Sequence, residues 1–255
     1  MEASLLTVAS RDGSDPDPGR RHSDRIAADL RDDILAGRYK TGQRLPAERD
    51  LATRLSVNRG SVREALKKLE QLGLVEIRRG DGAHVRPVSD ASVEVVRDLL
   101  RVGDGLDRRL LEQLFDVHEM LSVGAAALAV EKLPEPALAR ARALVAELAT
   151  PGLSALDFHE RVEALVDLAT EATGHLVLRL VRNAFGPAIL DGLRELSPWL
   201  AGAGEDLGAA TRRLDAALAA RDAAAAADAV RSLSKARREW LGRALDAYEA
   251  ARHRA

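Results

Sequence analysis

The sequence predicts a mainly α-helical protein in two parts. The first is a basic module of three helices and a small β-hairpin; the second is an all-α bundle of about seven helices. Three observations predict this. Hydrophobic residues make up 46% of the 255 residues but aromatics only 3%, so the core must be built of Leu, Val and Ala, which favours helices over sheets. Charge is unevenly placed: residues 20–88 hold sixteen Lys/Arg against ten Asp/Glu, while 89–255 hold twenty-one against twenty-six. Apolar residues recur at helical spacing through almost all of the chain beyond Pro87. The chain has no cysteine, which excludes disulfides, thiolate metal sites and cysteine nucleophiles. No apolar run approaches the ~18 residues of a membrane span and the polar start is no signal peptide, so a soluble, cytoplasmic protein is expected.

Residues 1–19 carry Asp15-Pro16-Asp17-Pro18-Gly19, and each residue before a proline is pushed out of the helical region. A disordered tail is expected there. Residues 23–36 read as a first helix, with Ser23 or Asp24 as cap, a stripe of Ile26, Leu30 and Ile34, and Gly37 as stop. A turn over 39–45 leads to Pro46, which fits a helix entry, and to Glu48 in the first turn of a short helix carrying Leu51 and Leu55. Ser56-Val57-Asn58 breaks it, and Asn58 can cap a third helix. In that helix Val62, Ala65, Leu66 and Leu69 form the buried stripe, while Arg59, Arg63 and Lys67 share another face. Gly73 ends it. Residues 74–78 and 84–86 can pair as a two-stranded wing about a turn at Arg79-Gly80-Asp81-Gly82. A linker is expected near 86–90, which divides a module of 20–88 from a second domain of 89–255.

A basic module beside an acidic domain fits a polyanion partner, although a solvated charged face on a small helical domain would look similar. The third helix sharpens the choice. A major groove about 12 Å wide admits one α-helix, whose first residues reach base edges. Asn58, Arg59, Ser61 and Arg63 supply donors and acceptors there, and Lys67 lies where a phosphate contact would fall. Residues 26–85 resemble the GntR-type winged helix-turn-helix. The matching pieces are Ile34-Leu35-Ala36-Gly37, Gly42 through Arg49, Val57-Asn58-Arg59, Val62 through Leu66, and Gly73-Leu74-Val75. The resemblance implies DNA contacts at Arg49, Asn58, Arg59, Gly60, Ser61, Arg63, Arg79 and Gly80. Gly60 departs from the more usual Thr and offers only its backbone.

The second domain reads as helices throughout. Val93, Val96 and Leu100 open it, and Gly103-Asp104-Gly105 makes a turn. A long helix carries Leu110, Leu114, Val117, Leu121, Ala125 and Leu128. Pro134 and Pro136 start the next, and Pro151-Gly152 ends it. Phe158, Val162, Leu165, Ala169 and Ala172 form a further stripe. Gly174, Gly186-Pro187 and Ser197-Pro198 are expected to punctuate shorter helices before two Ala-rich ones over 206–220 and 222–252. Such a bundle can enclose a small-molecule cavity. This half resembles the FadR branch of the GntR regulators through Glu112 to Val117, Leu165 to His175, and Ala217 to Asp222. Many members of that branch hold a divalent metal through an Asp, a His four residues on, and two later His. The first pair falls here on Val162 and Val166 and the later two near Thr211 and Leu233; valine has no lone pair for a metal, so neither metal nor cofactor is expected. His159 and Glu163 stand four residues apart but do not complete a site. His118 borders an apolar stripe, as a satisfied core residue or an effector contact, and His175 is expected to serve at a helix start.

The function these features imply is a sequence-specific DNA-binding transcription regulator: a homodimeric repressor on palindromic double-stranded DNA, released by a small-molecule effector. A fatty acyl-CoA is the expected effector, otherwise a small organic acid. The alternatives are effector-independent or nucleoid DNA binding and, least favoured, an enzyme. No nucleophile elbow, Walker loop, zincin or dinucleotide motif is present.

Overall fold

The computed structural model describes residues 18–101, 105–150, 152–200 and 207–254. The chain divides into two compact units between Ser92 and Val93. Of the tail expected over 1–19, residues 1–17 lie outside the described residues, as do Gly103 and Asp104 of the expected turn and Pro151.

In the first unit, α1 runs Pro18–Leu35, α2 Glu48–Leu55 and α3 Arg59–Gln71. Helix α1 starts earlier than its capping residues suggested. Pro18 suits a first helical position, and Ser23, far from capping, is buried inside the helix, where its hydroxyl accepts from Lys68 Nζ at 3.0 Å. Ile26, Leu30 and Ile34 do form the buried stripe, and α3 answers with Val62, Ala65, Leu66 and Leu69. Lys68 also pairs with Asp24, which fastens α3 to α1 at the surface. Ser56 between α2 and α3 takes a left-handed conformation, φ 53°, and that turns the chain sharply from one helix into the next.

The wing is β1, Val75–Arg78, antiparallel to β2, Gly82–Val85, with Val75 opposite Val85 and Arg78 opposite Gly82. Residues 42–45 run along the other edge of β2: Gly42 N and Leu45 N donate to Val85 and Ala83 carbonyls, both at 2.8 Å. Leu45, Val75, Ala83 and Val85 are buried. Glu70 Oε1 accepts from Ile77 N at 2.8 Å and ties the strand to α3. The expected linker is not a plain extended segment. Val88–Asp90 is a turn of 3-10 helix, and Ser92 N donates to the Leu72 carbonyl at 2.8 Å.

The second unit has seven α-helices among its described residues: α4 Val96–Leu99, α5 Arg108–Ala129, α6 Glu135–Leu148, α7 Ala155–Thr173, α8 Leu176–Leu196, α9 Leu207–Ala220 and α10 Ala223–Arg252. Asp107, Ser154 and Asp222 cap α5, α7 and α10 with their side chains. His175 caps α8, its Nδ1 accepting from Leu178 N at 3.2 Å. One expectation fails. Gly186-Pro187 does not break α8, which passes through Pro187 without interruption. A proline in a helix forfeits one backbone bond, but Ala188, Ile189, Leu193 and Leu196 just beyond it are buried. The packing of that face outweighs the loss.

Helices α5 and α10 are antiparallel: Arg108 pairs with Asp246 and Glu249, Arg238 with Asp116 and Glu119, and Arg221 reaches the Val130 and Leu133 carbonyls. One apolar cluster joins α5, α8 and α10 through Leu111, Leu114, Ile189, Leu196, Leu241 and Leu245. A second joins α6, α7, α9 and α10 through Val145, Leu148, Phe158, Leu214, Ala226 and Leu233.

Two glycines separate backbone strain from close packing. Gly37 and Gly73 both have positive φ, 72° and 74°, but a Cβ on Gly73 would come within 2.9 Å of the Asp90 carbonyl oxygen, whereas at Gly37 it would meet nothing. Gly37→Ala should cost about 1 kcal/mol. Gly73→Ala should cost about 2 kcal/mol or more, since the backbone of 90–91 has to move too. Denaturant midpoints of the two variants check the order.

Candidate functional site

The first site is the exposed face of α3. The helix begins where Asn58 places it: Asn58 Oδ1 accepts from Ser61 N at 2.8 Å. With the Val62, Ala65, Leu66 and Leu69 stripe turned to the core, Arg59, Gly60, Arg63 and Lys67 are left exposed. Arg63 lies against Glu48 at the start of α2, its Nη2 2.9 Å and its Nε 3.2 Å from the carboxylate. That pair draws the beginning of α2, with exposed Arg49, beside this face. Arg49 itself pairs loosely with Asp50 at 3.5 Å, and Lys67 with Glu64 at 3.0 Å. Among the described residues, Arg59 has no such partner. Arg79 and Gly80 form the exposed tip of the hairpin, where Gly80 takes φ 81°.

Two expected contacts are placed differently from the rest. Ser61 is buried, so its side chain faces the core while its backbone amide is spent on the cap. Asn58 remains exposed, but its carbonyl oxygen is occupied. Bidentate reading of adenine needs that oxygen as an acceptor. At Gly60 a Cβ would sit 3.0 Å from the same Oδ1, so a larger residue there would press on the cap.

The second site is a cavity of about 90 Å³ in the helical unit. Its walls are almost wholly apolar: Ala125 and Ala129 of α5 with Val130 just beyond it, Phe158, Leu165 and Ala169 of α7, Leu214 and Leu218 of α9, and Ala226, Val230 and Leu233 of α10, with Leu133, Ala141 and Leu148 alongside. Val162, Val166 and Leu233, the positions that carry metal ligands in the resembled branch, are among its lining. No group of three or more His, Asp or Glu able to hold a metal exists among the described residues.

One end of the cavity is polar. His118, Ser122, Ser234 and Arg237 line it. Arg237 is 6% exposed and His118 likewise 6%. Arg237 Nη2 donates to His118 Nδ1 at 3.0 Å, Ser122 Oγ lies 3.2 Å from the same nitrogen, and His118 Nε2 lies 2.8 Å from Glu163 Oε1. A guanidinium only donates, so Nδ1 is bare and the proton is on Nε2, donated to Glu163. Burial, then the charge of Arg237, push the imidazole below its usual range and keep it neutral. Arg182 Nη1 donates to the other Glu163 oxygen at 2.7 Å. Burial alone would raise the Glu163 carboxyl, but its bonds to His118 and Arg182 outweigh that and hold it ionised. Burial lowers Arg237 to about 10, so it stays charged at neutral pH.

Arg237 escaped the sequence reading, yet the signal was there: it stands four residues from Leu233 and from Leu241, inside the buried stripe of α10. His118 was singled out, and it is both a satisfied core residue and part of a cavity wall.

His159 is buried beside this cluster, its ring 6.2 Å from that of His118, with Nδ1 lacking a partner among the described residues. Burial pushes its imidazole down to about 4, with Glu163 opposing and Arg237 and His118 adding to the fall. In the unfolded chain it protonates near its ordinary 6.5. Its contribution is therefore intact above that pH and is lost as pH falls toward the folded value, up to about 3 kcal/mol in all. Urea titrations between neutral pH and pH 4.5 should show stability falling with acid, and His159→Phe should flatten the fall. An identical slope in the variant would contradict the assignment.

The comparisons with known proteins agree with this geometry. Residues 22–85 match the family model described as bacterial regulatory proteins, gntR family. The chain is 40% identical over 132 residues to the uncharacterized HTH-type transcriptional regulator Rv0494 of Mycobacterium tuberculosis, covering 51% of this chain and 53% of that protein. It is 36% identical over 166 residues to the HTH-type transcriptional regulator Mce2R of the same species, covering 61% and 65%. It is 28% identical over 163 residues to the HTH-type transcriptional regulator LutR of Bacillus subtilis, covering 64% and 73%. The chain thus spans about half of the first relative's length and just under two thirds of the second's. It carries a GntR-type winged helix at its N-terminus, followed by a helical C-terminal domain. No described helix is long and apolar enough to cross a membrane.

Proposed function

We propose that this protein is a sequence-specific DNA-binding transcription regulator of the FadR branch. In this reading it acts as a homodimer on palindromic double-stranded DNA, represses, and is released by a small-molecule effector. The observation that carries the reading is the exposed cationic face of α3. Arg59, Arg63 and Lys67 are turned outward by a core stripe, on a helix whose start is fixed by a side-chain cap.

A helix laid in the major groove presents its first turns to the bases. Arg59 and Arg63 then read base edges, guanine best. Arg63 reaches the groove from a carboxylate that restrains its rotamers, so it arrives with less side-chain entropy to lose. Lys67, one turn further, meets phosphate, and so does Arg49 at the start of α2. Arg79 and the backbone of Gly80 put the wing tip against the neighbouring backbone or groove. Asn58 is left with its amide nitrogen as a phosphate donor, and Ser61 acts through its backbone. Two such helices related by a twofold axis match a palindrome. An effector in the helical domain shifts the dimer away from the DNA-competent arrangement, by no more than its preference between the two states. The roles assigned to this chain need no catalytic group, and none is proposed.

The test is fluorescence anisotropy of the full chain on a duplex selected from its own genome. Arg59→Ala and Arg63→Ala should each cost about 1–3 kcal/mol and relax the preference for one base position. Lys67→Ala should weaken all duplexes alike and lower the slope of log K against log salt by about one contact. Binding that ignores sequence would favour a nucleoid role, and unchanged base preference in both arginine variants would refute their assignment.

A further inference from the structure

The outer face of the wing carries a side-chain cluster to which the DNA reading above gives no part. Residues 42–45 run along the free edge of β2, and Arg44 stands opposite His84. Side chains alternate along extended chain, and Leu45, Ala83 and Val85 are turned to the core. Arg44 and His84 therefore share the opposite face. Both converge on one carboxylate at the hairpin tip. His84 Nε2 lies 2.9 Å from Asp81 Oδ2, and Arg44 Nη1 lies 3.6 Å from Asp81 Oδ1. The second His84 nitrogen, Nδ1, lies 3.4 Å from the Gly42 carbonyl oxygen. The tip is thus tied by side chains to a segment about forty residues earlier in the chain.

The tip needs such a tie. Its loop, residues 79–81, joins Arg78 to Gly82, which are paired across the hairpin, and is closed by Asp81 N donating to the Arg78 carbonyl at 3.1 Å. Glycines stand on both sides of Asp81, Gly80 at φ 81° and Gly82 at φ 85°. Glycine reaches that region without steric cost but leaves the chain many other conformations. Residues 79–81 are all exposed, so no core packing chooses among those conformations. The hold on Asp81 does. Arg44 also lies across Gly82, where a Cβ would come within 3.1 Å of its Nε. Arg78 takes no part, since Glu76 on its own strand holds it at 2.8 Å.

From these observations we infer that Arg44 and His84 are positioning residues for the wing: acting through Asp81, they hold the 79–81 loop in the shape that presents Arg79 to DNA. The inference rests on the regulator reading for its consequence to DNA, but not for the order it gives the loop. A loop already in its bound shape loses less entropy when it binds. The cluster therefore strengthens the wing contact without touching the duplex. The Arg44 and Asp81 side chains are half-exposed, so their pairing adds little to global stability. Its effect falls on the loop, and through the loop on Arg79.

The experiment is fluorescence anisotropy of the full chain on its selected duplex, over a series of salt concentrations. The main variant joins Arg44→Met to Asp81→Ser, which removes one charge of each sign and leaves the net charge of the wing unchanged. It should bind about threefold to tenfold more weakly, the loss of a preorganised loop, with the same salt slope. Added to Arg79→Ala it should cost nothing further, because no Arg79 is left to position. Additive losses, or a slope lower by about one contact, would overturn the inference and make Arg44 a phosphate contact. Unchanged affinity would overturn it too. Should that variant unfold, His84→Ala should give the same pattern and is read in the same way. Backbone order parameters of Gly80 and Gly82 in the free protein need no DNA. They should fall in either variant while those of α3 stay, and unchanged values would contradict the inference. The two readings fail separately. A chain that binds no duplex refutes the regulator and leaves the order parameters to decide this point, and one that binds an operator with additive losses refutes only the positioning role.

Discussion

One hydrogen bond fixes where the exposed helix of the first unit begins. Asn58 Oδ1 on Ser61 N sets the first turn of α3, and a helix, once started, has no freedom in which side chains share a face. A later start would leave Arg59 outside the helix, whereas Arg63, Lys67 and the Val62–Leu69 stripe keep their relative faces through spacing alone. The cap and the stripe agree, and local and tertiary preferences point the same way. The Glu48–Arg63 pair, the Glu70–Ile77 bond and the Lys68–Asp24 pair then fasten α2, the wing and α1 around this helix. They are exposed contacts, each worth little for stability, but together they fix where the outward cations stand.

The helical unit has a different organising tension. Its interior is apolar and small-residue-rich, yet it contains two arginines, two histidines and a glutamate. The arrangement is internally consistent. Arg182 and His118 satisfy Glu163, a neutral His118 accepts from Arg237, and only His159 Nδ1 and Arg182 Nε are left without partners among the described buried atoms. Buried polar groups of this kind reduce stability relative to an apolar core. The valines and leucine at Val162, Val166 and Leu233 bear on the same point. They make the middle of the cavity apolar and leave its polar groups at one end.

Much of the fold was legible because its signals were local. Periodicity placed the long helices, Asn58 and His175 were readable as helix starts from residue type, and the chain order of helices, turn and hairpin identified the wing. What was not legible depended on contacts distant in sequence. Ser23 looked like a cap because serine favours that position, but Lys68, forty-five residues away, claims its hydroxyl inside the helix. Gly186-Pro187 looked like a break because the cost of a proline is local, while the packing that overrides it is not. Asn58 could be read either as a cap or as a base contact; its one carbonyl oxygen is committed, and only coordinates reveal to which. Arg237 was missed because a long cationic side chain on a helix is ordinarily solvated; Leu233 and Leu241 mark its face as buried, but Phe115 and His118, which enclose it, are distant in sequence.

The central claim is that the outward face of α3 recognises a particular base sequence. Selection from a pool of random duplexes with the purified full chain tests it most directly. The account predicts enrichment of a short palindrome, two half-sites about one helical turn apart, and a change in the enriched bases when Arg59 is replaced. A pool that emerges unenriched, or a palindrome that survives replacement of Arg59 and Arg63 with every base unchanged, would contradict it.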